Sequence, residues 1–190
     1  YRNSFFNNVK HGEHEVALAS ARAGNVIGGG DWADDRLIPD VLRAIVSGQS
    51  VKIRNPNAIR PWQHVLDPLH GYLLLAEKLY TEGQAFAEAF NFGPPEEDTK
   101  PVQWIVEQLT QSLGNGVSWH LDQGTHPHEA HYLKLDCSKA RAILGWQSHW
   151  NLTQALQAII VWHKAHSDHQ SRIQMRSFCL QQIKEFSQSI

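Results

Sequence analysis

The clearest pattern of apolar and polar positions lies between Val16 and Trp32. It begins with small residues that carry no charge for six positions, continues through Arg22, Gly24 and Asn25, and ends in three glycines. A short apolar run bounded by a turn is typical of a strand buried on both faces of a parallel sheet. We therefore predict a strand over Val16–Arg22, with polar residues at its carboxyl end, where open α/β sheets place ligands. The alternative is a core strand followed by a flexible turn.

Strand and helix patterns alternate along the rest of the chain. Helical spacing predicts Ile38–Ile45, Pro68–Leu79 after an Asp67 cap, Val102–Leu113, a helix from Asp136 to Leu144 and a helix from Asn151 through Ile159. Short apolar or alternating runs predict strands at Val51–Arg54, Ala89–Phe92 and Val117–Leu121, with a turn-rich loop over Asn55–Pro61. The tail from Arg172 to Phe186 is either a peripheral helix or frayed. This order indicates the α/β or α+β class.

The composition is that of an ordinary globular protein, with 42% hydrophobic and 19% charged residues among 190. The formal net charge of −2 leaves no basic excess, which argues against a nucleic-acid partner. Cys137 and Cys179 form neither a disulfide framework nor a CxxC pair, so a cytoplasmic location is expected. No apolar stretch approaches the ~18–20 residues of a membrane span, so no membrane partner is expected either.

The glycine triplet Gly28–Gly30 is not a dinucleotide fingerprint. That motif requires G-x-G-x-x-G between a strand and a helix, whereas Asp31 and Trp32 follow directly here. The lysine of a Walker motif is missing too. A turn beside a ligand is therefore favoured over a loop that cradles phosphate.

The segment from His126 to Tyr132 concentrates three histidines and a carboxylate. A zinc site needs ligands at fixed offsets, and Pro127 and the missing second ligand pair argue against one. No metal site is predicted. Contact with an anionic ligand and a merely histidine-rich polar loop both stay open.

Arginines and asparagines recur near predicted turns and strand ends. They are Arg22, Arg36, Arg54, Arg60, Asn25 and Asn91. A guanidinium fork binds phosphate in a bidentate manner, and Trp62 beside Arg60 offers a surface on which a base or sugar could stack. Each residue alone is more typical of a surface charge. Together they favour an anionic, sugar-bearing ligand.

Nucleophilic catalysis finds no support in the sequence. It contains no G-x-S-x-G elbow, and none of Tyr1, Tyr72, Tyr80 and Tyr132 is followed by a lysine four positions later.

Five strings of residues together carry a family resemblance. They are R-A-G-N-V-I-G at Arg22–Gly28, D-R-L-I-P at Asp35–Pro39, I-R-P-W-Q-H-V-L-D at Ile59–Asp67, F-N-F-G-P at Phe90–Pro94 and L-D-C-S-K-A-R-A-I-L-G-W at Leu135–Trp146. The series resembles the carboxyl-terminal half of the extended short-chain dehydrogenases/reductases, which act on nucleotide-sugars. The likeness runs from Tyr1 to about Trp162, and the tail after His166 carries none of it.

The resemblance implies an α/β fold made of two parts. Residues 1–34 would end the Rossmann-type parallel sheet of an NAD-binding domain, and 35–166 would mainly form a smaller mixed α/β domain that binds the nucleotide-sugar. Residues 62–92 would pack back on the Rossmann domain, and 167–190 would be a peripheral tail. The chain starts with Tyr1 and its only methionine is Met175, so we expect a piece of a longer protein.

The same resemblance implies an NAD-dependent dehydratase that acts as a homo-oligomer, a dimer or tetramer. Its catalytic Tyr-x-x-x-Lys pair would lie upstream of Tyr1, so we expect this chain alone to be inactive. Two alternatives stay open. The chain could come from another nucleotide-sugar dehydratase or epimerase, or it could be a binding module without catalysis.

The resemblance also assigns ligand contacts, residue by residue. Asn25 would meet the diphosphate, Arg36 and Leu37 would lie over the nucleotide, Arg54 would flank the base, Arg60 would bind phosphate and Asn91 would lie near the nucleotide. Ala23 and Gly24 would lie near NAD.

A last group of contacts falls in the histidine-rich segment, where His128, Glu129 and Tyr132 fit a substrate-binding stretch. There the sequence departs from its relatives, because His126 replaces an arginine and one residue is missing. We interpret His126 as a feature of the members of this family that bind a cytidine nucleotide.

Overall fold

The computed structural model describes residues 1–114, 116–124, 131–168 and 170–190. Its strands are β1 (Ser20–Ala23), β2 (Asn25–Ile27), β3 (Val51–Ile53), β4 (Ile59–His64), β5 (Ala89–Phe92), β6 (Thr99–Pro101) and β7 (Trp119–Leu121). Its helices are α1 (Arg2–Phe5), α2 (His11–His14), α3 (Leu37–Val46), α4 (Leu66–Glu82), α5 (Val102–Leu113), α6 (Ser138–Leu144), α7 (Leu152–Ser167) and α8 (Arg172–Ser187). Parallel strands alternate with helices, which confirms the α/β class. No helix in these ranges combines the length and apolarity that a membrane span needs.

The strands form three small sheets. β1 pairs with β5 in parallel, and β3 pairs with β7 in parallel. In the third sheet β4 is central, with β2 parallel on one side and β6 antiparallel on the other.

The strand predicted over Val16–Arg22 begins only at Ser20, as β1, and a second strand that was not predicted, β2, follows Gly24 in a different sheet. A Cβ at Gly24 would lie 2.6 Å from the carbonyl oxygen of Pro61, so glycine lets the chain pass close to β4 there. The predicted burial on both faces is wrong. Three residues of β1 are exposed, because in the described chain its only sheet neighbour is β5.

Two apolar clusters form the core. The larger one packs α3, α5 and α7 around β3 and β4, with Val41, Ile105 and Ile159 fully or almost fully buried. The smaller one joins β5 to α4 and α6, where the rings of Phe92 and Trp146 meet edge to face at 5.0 Å. The first cluster therefore supports the strands and the helix that surround the cavity described below.

Three strands, β2, β4 and β6, were missed, and one helix begins earlier than predicted. β4 begins at Ile59, within the last three residues of the loop expected over Asn55–Pro61, and β6 was not expected at all. α4 begins at Leu66, so Asp67 is not its cap. Its buried carboxylate instead accepts a hydrogen bond from the backbone N–H of His149 at 2.6 Å.

Several expected elements are confirmed. α5 spans the predicted Val102–Leu113, and Asn151 caps α7 in a capping box with Gln154. The tail is a helix of 16 residues with its own capping box, and Phe186, which is 4% exposed, docks it on the body. The proposed domain boundaries stay a prediction.

Candidate functional site

A cavity of about 420 Å³ opens at the carboxyl ends of β2 and β3, beside the amino end of α3. We call it the arginine cavity. It is lined by residues 24–28, 31, 35–41, 51–55, 60, 62 and 102. This is the edge at which open α/β sheets bind ligands.

The arginine cavity brings together six of the predicted site residues: Gly24, Asn25, Arg36, Leu37, Arg54 and Arg60. Its basic lining groups are three arginines and Lys52, and its acidic ones are Asp31, Asp35 and Asp40. Guanidinium groups that converge from separate elements can bind a diphosphate in several places at once.

β2 and β4 form one wall of the arginine cavity. Asn25 lies opposite Trp62 in the parallel register, and Arg60 shares the Trp62 face of β4 because side chains alternate along a strand. The Arg60 Nη1 donates to the carbonyl of Ile59 at 3.0 Å. Gln63 points the other way and donates to the carbonyl of Phe92 at 2.7 Å. The alternation thus directs Arg60 and Trp62 to the cavity and Gln63 to the neighbouring strand β5.

The opposite wall is the amino end of α3. Arg36 is the N-cap residue, in extended conformation, and its side chain makes no capping hydrogen bond. The first N–H groups of a helix lack partners inside the helix and favour an anion. In α3 these are the N–H groups of Leu37 and Ile38, because Pro39 has none and the Asp40 N–H donates to the carbonyl of Arg36. This feature was not predicted from the sequence, although Arg36, and not Ser, Thr, Asp or Asn, occupies the capping position directly before Leu37.

The glycine triplet serves packing more than ligand binding. Gly28 lines the arginine cavity, while a Cβ at Gly29 would lie 2.3 Å from the Trp162 ring of α7. Gly30 has a φ of +79° and also lies against Trp162. The triplet thus forms a turn that borders the arginine cavity, and the predicted position of this turn beside a ligand stays a prediction.

Three predicted residues lie outside the lining of the arginine cavity. Asn91 accepts a hydrogen bond from Arg22 at 3.1 Å and donates to the carbonyl of Asp136 at 3.0 Å, so its amide links β5 to β1 and to the start of α6. Ala23 ends β1 opposite Phe92. Tyr132 is 53% exposed and forms an isolated bridge with Ile59, next to Arg60. Their binding roles stay predictions.

His126, His128 and Glu129 lie outside the described residues, so their roles also stay predictions. Within the described ranges, no group of three or more His, Cys, Asp and Glu side chains could hold a metal ion.

Comparison with known families gives a match that begins before β1 and ends just after β5. Residues 9–93 match the NAD dependent epimerase/dehydratase family. The matched stretch includes Asn25, Arg36, Arg54, Arg60 and Asn91, whereas Tyr132 lies beyond it.

Two curated relatives are nucleotide-sugar dehydratases. The chain is 60% identical over 165 residues to the CDP-glucose 4,6-dehydratase of Salmonella typhimurium, covering 87% of this chain and 46% of that protein. It is 30% identical over 141 residues to the dTDP-glucose 4,6-dehydratase of Haemophilus influenzae, covering 68% of this chain and 40% of that protein. The chain thus spans less than half the length of these relatives.

Solved structures share the fold at low sequence identity. A UDP-glucose-4-epimerase from Stenotrophomonas maltophila with bound NAD superposes with a TM-score of 0.70 at 16% identity, covering 86% of this chain and 52% of that one. For a UDP-glucuronic acid 4-epimerase from Bacillus cereus, in complex with UDP-glucuronic acid and NAD, the TM-score is 0.68 at 19% identity, with 82% and 48% covered. A dTDP-glucose 4,6-dehydratase from Bacillus anthracis gives 0.63 at 16% identity, with 86% and 50% covered. The expected fold is confirmed over about half the length of such enzymes.

Proposed function

We propose that this chain is the nucleotide-sugar-binding part of an NAD-dependent dehydratase. The enzyme would convert CDP-glucose to CDP-4-dehydro-6-deoxyglucose and water, a step toward the dideoxysugars of bacterial O-antigens. The 60% identity to a CDP-glucose 4,6-dehydratase over 165 residues is the observation that carries the proposal. Because that relative is more than twice as long as the match, the activity would belong to a longer protein.

In this proposal the arginine cavity binds the diphosphate of the substrate. Arg36, Arg54 and Arg60 supply positive charge from three separate elements, and the amino end of α3 adds N–H donors. Asn25 offers an amide to a phosphate or sugar oxygen. Trp62 is only 5% exposed and belongs to the larger apolar cluster, so it supports the wall from inside and leaves little surface on which a ring could stack.

NAD, when bound, would accept a hydride from the sugar and later return it. From this chain only Ala23 and Gly24 are candidates to lie beside it, since both sit at the carboxyl end of β1. The missing side chain of Gly24 is already explained by its contact with Pro61. The assignment to NAD therefore rests on position alone. No tyrosine of this sequence is followed four residues later by a lysine, so we expect no turnover by this chain with NAD added.

The choice of nucleotide is tested by calorimetric titration of CDP-, dTDP- and GDP-glucose into the full chain. We expect CDP-glucose to bind most tightly. Tighter binding of dTDP-glucose would contradict the proposal and favour the chemistry named for the Haemophilus relative.

An Arg60→Ala variant tests the site itself. Loss of a charge-assisted contact should weaken CDP-glucose binding by about 2–3 kcal/mol, roughly 30- to 150-fold in Kd. Arg176→Ala on the exposed face of α8 removes the same charge away from the arginine cavity and should leave Kd unchanged. Equal effects of the two variants would contradict the assigned site.

A further inference from the structure

We propose that Asp35 is a positioning residue, which holds the Arg54 guanidinium at the mouth of the arginine cavity for the diphosphate of a bound nucleotide. The Asp35 Oδ1 accepts a hydrogen bond from the Arg54 Nη2 at 2.9 Å. Both residues line the cavity, and their side chains are 79% and 49% exposed, which places the pair at its open side. The inference depends on the proposed function only because that function names a nucleotide diphosphate as the anion that Arg54 binds.

The backbone of Asp35 is unusual. Its φ of 58° lies in the left-handed region, which is unfavourable for a residue with a Cβ although aspartate tolerates it better than most. Such conformations persist where neighbouring contacts impose them, and they concentrate at functional sites. This conformation distinguishes Asp35 from the other charged residues of the same loop.

Arg43 of α3 contacts the residues that precede Asp35. Its Nη1 donates to the carbonyl of Trp32 at 3.1 Å, and its Nη2 donates to the carbonyl of Ala33 at 3.4 Å. The same Nη2 lies 3.3 Å from the Asp34 carboxylate. The loop that leads into Asp35 is therefore fixed to α3 by contacts that do not involve Arg54. A carboxylate on a fixed loop can hold a long, flexible guanidinium in one place.

The pair contributes little to the stability of the fold. Exposed ion pairs are screened by solvent, so their contribution to the free energy of unfolding is small. A guanidinium has five N–H donors, and the contact with Asp35 uses one nitrogen of the fork. Arg54 can therefore keep this contact and still donate to a phosphate.

The change in anion affinity on substitution of Asp35 distinguishes positioning of Arg54 from simple electrostatics, because the two predict opposite signs. Asp35 is negative and lines a cavity proposed to bind an anion, so Coulomb's law alone predicts tighter anion binding when its charge is removed. If Asp35 acts by orienting Arg54, the same substitution weakens binding. The carboxylates of Asp31 and Asp40 also line the cavity and are present in every variant.

The experiment measures binding of inorganic pyrophosphate to the full chain by calorimetry. Asp35→Asn should raise the Kd by about three- to five-fold, the scale of an exposed charge contact. Asp35→Gly removes the same carboxylate and suits the left-handed backbone, so it should fold and show the same loss. Glu82→Gln removes a carboxylate that pairs with Lys78 on α4, away from the cavity, and should leave the Kd unchanged.

The Arg54→Gln background distinguishes action through Arg54 from a general structural effect. There, Asp35→Asn should cause no further loss of pyrophosphate binding. The inference is overturned if Asp35→Asn leaves pyrophosphate binding unchanged or makes it tighter. It is also overturned if Asp35→Asn weakens binding as much in the Arg54→Gln background as in the unmodified chain, or if the unmodified chain does not bind pyrophosphate. Pyrophosphate carries neither base nor sugar, so a failed preference for CDP-glucose would not affect this result.

Discussion

His64, at the end of β4, is the residue whose ionisation is changed most clearly by the fold. It is 2% exposed, and burial lowers its pKa to about 4, so the ring is neutral at pH 7. Its Nδ1 accepts a hydrogen bond from the backbone N–H of Leu66 at 3.3 Å, and its ring packs on Trp150 at 4.8 Å. A ring held neutral in this way supports the turn from β4 into α4, and it is unsuited to carry protons near pH 7.

This burial predicts a pH dependence of stability. Below the unfolded pKa of 6.5 the unfolded chain takes up a proton that folded His64 refuses until about pH 4. Stability is therefore lost as the pH falls through this window, by about 3 kcal/mol at most. Urea unfolding of the chain and of His64→Asn, whose amide oxygen can accept from Leu66, should show a shallower loss for the variant.

Other groups whose pKa is shifted by burial are present in both proteins. Burial lowers the pKa of His163 and His70 and raises that of Asp67. Their contributions cancel in the difference between the chain and the His64 variant. Identical slopes of stability against pH in the two proteins would contradict the account of His64.

The residues of the site could be predicted only in part. Arg36, Arg54 and Arg60 were identified because they lie near predicted turns and strand ends and match a family pattern, and the structure brings them to one cavity. The contact between Asp35 and Arg54 could not be predicted, because it joins residues 19 positions apart through a loop with an unusual φ. Asn91 matched the same pattern, but its amide is engaged by backbone and side-chain partners that no sequence spacing reveals.

The turn after β2 depends on its contact with α7. Gly29→Ala would place a Cβ against the Trp162 ring, so we expect it to lower the free energy of unfolding by about 1–3 kcal/mol, as overpacking does. Gly12→Ala in α2 is the matched control, since a Cβ there meets nothing within 4 Å. Adding Trp162→Ala to the Gly29 variant should remove the clash. Chemical denaturation measures all three, and a neutral Gly29→Ala would show that the turn does not need this close approach.

Elements with a regular stripe were predictable, whereas elements that depend on tertiary neighbours were not. α5 follows its apolar spacing of three and four residues along the whole helix. β4 was missed because it contains Pro61, which argues against a strand, and because its last four residues are all buried and so do not alternate. The break between β1 and β2 depends on the approach of Pro61 to Gly24, which no local pattern shows.

At the scale of the molecule, the larger apolar cluster supports the arginine cavity. α3, β3 and β4 belong both to that cluster and to the lining. The exposed strand β1 instead pairs with β5, whose Phe90 and Phe92 belong to the smaller cluster. In the proposed function the cavity side of this chain binds the substrate, and catalysis is proposed to belong to the part of the longer relatives that this chain does not match.

Hydrogen exchange with CDP-glucose tests this central claim most directly. The account predicts that the ligand slows exchange in segments 24–28, 35–41 and 51–60, which surround the arginine cavity, and leaves α8 unchanged. In Arg60→Ala the same ligand concentration should give little protection. Protection confined to other segments, or equal protection in Arg60→Ala, would contradict it.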